Sequence, residues 1–134
     1  MKRLILIAAT TLMPLAYAPT LAAPDTTPAQ QLQHWNAQAG SPGNAERGKA
    51  FFLNKHGKDL SCASCHGESP MVSGKHVSTG KAIAPLAPAA NPESLTDTAR
   101  INKWFRRNCN DVLGRECSAQ EKADVIAFLN GLKR

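Results

Sequence analysis

The chain has 134 residues and a formal net charge of +6, from 16 Lys and Arg against 10 Asp and Glu. The basic residues form no long block and do not alternate with aromatics, which argues against nucleic acid as a partner. What remains after an N-terminal leader is set aside is one small domain, whose core is marginal without a staple or a large cofactor.

The N-terminus carries Lys2 and Arg3, an apolar run from Leu4, and small residues at Ala22 and Ala23. This is the layout of a secretory signal peptide over residues 1–22, too short and too quickly broken by Pro14 to span a membrane. Pro19 disfavours cleavage after Ala18, so the cut is expected at Ala22 or Ala23. The mature chain is therefore expected to be exported to the periplasm with no membrane span. In that oxidising compartment cysteines pair or are used covalently.

Residues 23–43 form an N-terminal extension rich in Pro, Gln, Thr and Ala. Within it AQQLQHWNAQ predicts a short helix with Leu32 and Trp35 on one face, followed by a turn at GSPG. The main domain then runs over residues 44–134. Asn44 caps AERGKAFFLNKHG, a helix that places Ala45, Gly48 and Phe52 on one stripe and stops at Gly57. Glycine inside a helix costs about 1 kcal/mol against alanine, and the return expected at Gly48 is close approach by another helix.

The stretch GKHVSTGKAIAPLAPAANPES is broken by glycines and prolines, which predicts a long ordered loop rather than a strand pair. A loop of that length in a small domain is expected to wrap something. TDTARINKWFRRN opens with a Thr96/Asp97 cap, and Ile101, Trp104, Phe105 and Asn108 follow helical spacing. The last element, SAQEKADVIAFLNGLKR, opens with a Ser118-x-x-Glu121 capping box and carries Val125, Phe128, Leu129 and Leu132 on its apolar face. The prediction is an all-α domain of four to five short helices.

The strongest motif is CASCH: Cys62, Cys65 and His66. Cys-x-x-Cys-His is the attachment sequence of c-type haem. Two thiols one helical turn apart can form thioethers with the haem vinyls, and the adjacent imidazole can reach the iron from the same side. A thioredoxin-like redox pair would need a βαβ setting, which is missing. A zinc site built from Cys62, Cys65, Cys109 and Cys117 would lack a second C-x-x-C knuckle. One covalent haem c fits best, and gives the long loop something to wrap. The helix count and motif together look like a small class I cytochrome c fold.

The sixth ligand is less obvious. Met1 and Met13 leave with the leader, and Met71 lies only five residues beyond His66, too close to cross to the other face. His34, His56 and His76 remain, with His56 expected to be exposed and His76 the best placed of the three. Asn108 continues the stripe of Ile101, Trp104 and Phe105. It is read either as a ligand or as a residue that caps the end of its helix or bonds to nearby backbone.

From Gly48 to Leu129 the chain resembles the sphaeroides haem protein (SHP) family, related to cytochrome c-double-prime. The resemblance is carried by CASCHGESP, GKHVSTGKAIAPLAP, NPESLTD and, above all, WFRRNCNDVLGRECSAQEKADVIAFL. It implies Cys62 and Cys65 as haem thioethers, His66 as proximal ligand, and Asn108 as a labile distal ligand where the c-double-prime branch has histidine. It also implies a Cys109–Cys117 disulfide and a dihaem c-type cytochrome as electron donor. A neutral amide oxygen favours ferric over ferrous iron, so reduction is expected to release Asn108 and open the iron to O2, NO or CO. A plain six-coordinate electron carrier and a small haem enzyme acting on O2, peroxide or NO remain as alternatives, and enzymatic turnover is left open. Arg106, Arg107 and Arg115 gather charge near this loop, either to steer an acidic donor, to hold an anion, or as a solvated face.

Overall fold

A computed structural model describes residues 23–134. The signal-peptide reading falls on residues 1–22, outside the described residues. Five helices are present among those described: α1 Pro28–Ala39, α2 Ala45–Leu53, α3 Ala63–His66, α4 Thr98–Leu113 and α5 Ala119–Gly131. Four start at a side-chain cap: the oxygens of Thr27, Asn44, Asp97 and Ser118 each accept the backbone N–H three residues on. Such caps satisfy donors that the first helical turn leaves free and contribute about 1 kcal/mol each. Ser118 and Glu121 close the full reciprocal box.

The core forms where α2 crosses α5. Phe52, Val125, Phe128 and Leu129 make one buried cluster. Gly48 is the contact point: a Cβ there would collide with the Asp124 carbonyl and lie 3.0 Å from Phe128 Cβ. The expected close approach is thus realised, between the Gly48/Phe52 and Phe128/Leu129 helices. Asp124, buried on α5, anchors the crossing. Arg47 donates to both of its oxygens at 2.8 Å from Nε and 2.8 Å from Nη2, the Asn44 amide donates at 2.7 Å, and Gln120 Nε2 at 2.9 Å.

Helix α1 packs on α5, and Asn130 Nδ2 donates to the Pro28 carbonyl at 2.9 Å. The segment before it is tied to α4, where Thr98 N–H donates to Asp25 Oδ1 at 2.9 Å. The buried residue of α1 is Gln31, whose amide donates to Thr26 and Thr98 hydroxyls at 3.2 Å each. Leu32 and Trp35 are only half-buried.

Three local expectations change. Helix α2 ends at Leu53 with Asn54 as cap, not at Gly57. Within the Gly/Pro stretch, β1 Gly74–Lys75 pairs antiparallel with β2 Ala82–Ile83, with Gly74 opposite Ile83 and Lys75 opposite Ala82. The tight turn between them is closed by His76 N–H to the Lys81 carbonyl at 2.9 Å and Gly80 N–H to the His76 carbonyl at 2.9 Å. Two-residue strands are too short to produce alternation in sequence. His56, expected to be exposed, is half-buried, with Nε2 2.8 Å from the Phe51 carbonyl. The rest of the stretch is an ordered loop, as expected. Leu86 and Ala87 N–H groups donate to the Pro70 carbonyl at 3.0 and 3.1 Å, and Asn91 Nδ2 to the Pro85 carbonyl at 2.9 Å. The architecture is all-α, with this short ribbon and one disulfide added.

Burial pulls the Asp124 carboxyl upward, but the hydrogen bonds from Arg47, Asn44 and Gln120 outweigh it and hold the group below the usual aspartate range. Its stabilisation is therefore complete above the unfolded pKa of about 3.9 and is lost as pH falls through the lower folded value. Asp124→Asn is expected to cost about 1.5–3 kcal/mol at neutral pH. The difference from the parent should vanish on acidification, as measured by urea unfolding across a pH series.

Candidate functional site

The CASCH residues fold as a single helical turn. Cys62 precedes α3 with helical φ and ψ of −58° and −38°. His66 N–H donates to the Cys62 carbonyl at 3.0 Å and Gly67 N–H to that of Ala63 at 2.9 Å. Two serines brace this turn. Ser61 N–H donates to Ser64 Oγ at 3.0 Å, and Ser64 N–H returns to Ser61 Oγ at 3.1 Å. Their three-residue spacing is the available signal, since short hydroxyl side chains bond locally to nearby amides.

The ribbon presses on the same turn. A Cβ on Gly74 would collide with the Cys65 carbonyl and lie 2.7 Å from His66 Cα. Behind the turn, the buried Phe52 ring stands 6.3 Å from the His66 ring, centroid to centroid. Cys62, Ala63, Leu86, Leu95 and Phe105 pack around the core cluster that includes Phe52. The α3 turn, the loop and α4 therefore border one apolar region.

The chemistry of the three motif residues follows from this setting. Burial pushes the Cys62 thiol up to about 11. A redox or nucleophilic cysteine needs the opposite shift, which counts against a thioredoxin-like pair. Burial also lowers the His66 pKa, which keeps the ring neutral at physiological pH. His66 Nδ1 is buried without a hydrogen-bond partner. Two half-buried free thiols one turn apart, a neutral imidazole with an unmatched nitrogen, and an apolar surround fit a covalently attached haem. The four-cysteine zinc alternative fails, because Cys109 and Cys117 are bonded to each other, with Cα atoms 5.5 Å apart.

Asn108 lies within α4, and the C-cap of that helix is Gly114 in the left-handed region at φ 76°. The helix-end cap reading of Asn108 is thereby ruled out. Asn108 is half-buried beside the buried Cys109, and Phe105 on the same stripe packs on the core. Trp104, one turn earlier, is 45 % exposed, unlike buried Ile101 at 7 %. The cations of Lys103 and Arg107 lie 5.6 and 5.7 Å from its ring centre. The histidines other than His66 are engaged elsewhere. His76 Nδ1 accepts from the amides of Ser78 and Thr79 at 3.3 Å each, and His34 meets Trp35 edge-on at 4.9 Å. Of the three arginines, Arg115 pairs with both oxygens of Glu121 at 2.7 and 2.8 Å, and Arg107 reaches Asp111 at 4.0 Å.

Residues 38–129 match the family described as a domain of unknown function (DUF1924). The cytochrome c-type protein SHP of Cereibacter sphaeroides is 50 % identical over 109 residues, covering 78 % of this chain and 84 % of that protein. The chain belongs to the SHP family. Cytochrome c'' of Methylophilus methylotrophus is 46 % identical over 86 residues, covering 61 % of this chain and 60 % of that protein. The solved structure of oxidised SHP, described as an oxygen-binding cytochrome c, superposes with a TM-score of 0.76 at 47 % identity. It covers 81 % of this chain and 99 % of the solved one. Oxidised cytochrome c'' from M. methylotrophus superposes with a TM-score of 0.72 at 35 % identity, over 80 % and 95 % of the two chains.

Within the SHP fold, Gly74 marks where the ribbon meets the CASCH turn. Gly74→Ala is expected to destabilise by about 1–3 kcal/mol through overpacking. Gly131→Ala is the control, because a Cβ there meets nothing within 4 Å. Chemical denaturation of both variants checks the contrast.

Proposed function

We propose that this SHP-family chain is an exported, periplasmic monohaem c-type cytochrome that combines electron transfer with binding of a diatomic gas. In this reading residues 1–22 are removed as a signal peptide, residues 23–43 form the N-terminal extension, and residues 44–134 carry one haem c. Cys62 and Cys65 hold the haem as thioethers, His66 is its proximal ligand, and Asn108 is a labile distal ligand. When bound, the haem supplies a one-electron iron couple and, once reduced, a site for O2, NO or CO.

The residues of the chain perform the remaining tasks. The α3 turn sets the two thiols at the spacing of one helical turn, and the Ser61/Ser64 brace and Gly74 keep it in place. Burial keeps His66 neutral, so its lone pair is available for a ligand bond. Asn108 offers an amide oxygen, a weak and hard donor that suits the oxidised metal better than the reduced one. Once released, the same amide is both a donor and an acceptor for a bound guest. The Cys109–Cys117 bond ties the residue next to Asn108 to the start of α5, which limits how far that part of α4 can move.

The observation that carries this reading is the position of Asn108: a half-buried amide inside α4, relieved of any capping task and clamped by the adjacent disulfide. The oxygen binding named for the related SHP points the same way. The electron donor proposed is a dihaem c-type cytochrome. None of the helices among the described residues is long and apolar enough to cross a membrane.

The test is the visible spectrum of the dithionite-reduced protein before and after CO. A marked change on adding CO is expected, together with a low-spin ferric spectrum for Asn108→His. A low-spin reduced spectrum that CO leaves unchanged would identify a plain electron carrier instead.

A further inference from the structure

On the outward side of α4 lie two contiguous grooves of about 390 and 330 Å3, which share Lys103, Arg106 and Glu116. Their walls come from α4, from Trp35 on α1, from Lys122 on α5 and from the loop that ends at Cys117. Successive residues of a helix are about 100° apart, so Arg106 points about 200° away from Asn108. The grooves therefore lie on the back of the helix that carries Asn108.

This surface gathers several cations that no carboxylate answers directly. Arg47, Lys55, Arg100, Arg107 and Arg115 each have a carboxylate within 4.0 Å. Lys103, Arg106 and Lys122 have none among the described residues, yet all three line the second groove. Lys103 stands three residues before Arg106 and four before Arg107, like-charge spacings that are unfavourable on a helix. Lys122 is held with Nζ 4.2 Å above the centre of the Trp35 ring. This gives a shallow, open, aromatic-floored surface with a net positive charge, Lys103, Arg106, Arg107 and Lys122 against Asp111 and Glu116.

We propose that this surface is the docking site for the acidic face of a redox protein that exchanges electrons with this cytochrome. The redox part of that statement rests on the proposed function; the docking part does not. A second copy of the chain fits poorly, since pairing the surface with itself would oppose three unmatched cations to three. A phosphate backbone fits poorly as well, because Glu116 and Asp111 stand at the groove. An acidic protein surface can answer the cations with carboxylates and still offer a lysine to Glu116. Trp and Arg are also the residue types that concentrate binding energy at protein interfaces. A partner seated there would be separated from the Asn108 side by one helix, about 10–12 Å thick.

The test uses the ferric holoprotein, labelled with 15N, and an acidic flavodoxin as probe at low ionic strength. Amide shift changes should cluster on the outward face of α4, around Trp35 and around Lys122, and should disappear in about 0.3 M salt as the charges are screened. The double variant Lys103→Glu/Arg106→Glu should weaken binding by about tenfold or more. The control Lys49→Glu/Lys133→Glu carries the same change in net charge outside the grooves and should weaken it by less than about threefold. Lys122→Ala provides a milder second probe if the double variant folds poorly, and circular dichroism checks each sample. Equal losses in groove and control variants would overturn the proposal, as would no binding at low salt or shift changes centred on the CASCH turn. A DNA oligomer that binds as tightly and is released by the same variants would also overturn it. CO titration of the reduced sample tests the haem reading separately, so either idea can fail alone.

Discussion

The close crossing of α2 and α5 is the constraint on which the rest of the molecule depends. It exists because Gly48 has no side chain to hold the helices apart, so the α2 backbone rests on the Asp124 carbonyl. The polar part of the same contact is fully answered, with Arg47, Asn44 and Gln120 all donating to the Asp124 carboxylate. A buried carboxylate without those donors would be strongly unfavourable. The crossing also orients Phe52, which is 1 % exposed and backs the His66 ring. Packing of a helix pair thus places the floor of the site.

Three unrelated devices then hold the CASCH turn against that floor. The serine pair brackets it locally, the two-residue ribbon presses on it through Gly74, and the loop after it is pinned by the Pro70 carbonyl. The single turn of α3 lacks a side-chain cap. A helix of one turn has little stability of its own, because nucleation costs more than one turn returns. Its geometry is supplied by neighbours, which fix the spacing of its two thiols and its imidazole.

The other side of the site is built differently. Helix α4 is long, well capped at Asp97 and Gly114, and fastened at its far end by the Cys109–Cys117 bond. A disulfide stabilises chiefly by restricting the unfolded chain, with about 2–3 kcal/mol expected for a loop this short. Next to Asn108 it also restricts motion in the folded chain. The same helix separates two environments: a stripe with buried Ile101, core-packed Phe105 and half-buried Asn108, and a cationic back formed by Lys103 and Arg106. Asn108 on one face and a charged surface on the other are thereby carried by one helix.

Much of this was legible in the residues. The CASCH motif and the caps at Asn44, Asp97 and Ser118 depend on short-range chemistry, where spacing along the chain equals spacing in space, and Gly48 was legible only as a helix position that some neighbour must approach closely. The methionine inventory and the stripe to Asn108 were readable for the same reason. What the sequence alone could not decide involves partners far apart in the chain. Nothing near Asp124 in the chain marks it as buried; that follows from Arg47 and Asn44, 77 and 80 residues away, converging on it. Gly74 reads as loop punctuation until the ribbon folds onto Cys65. Trp104 reads as core until burial separates it from Ile101. The choice between cap and mid-helix for Asn108 waited on where α4 ends, and that depends on Gly114 and the disulfide-tied turn beyond it. Local pattern determined the motif and the helices; long-range packing decided which of their residues are buried, paired or free, because only packing sets what surrounds a side chain.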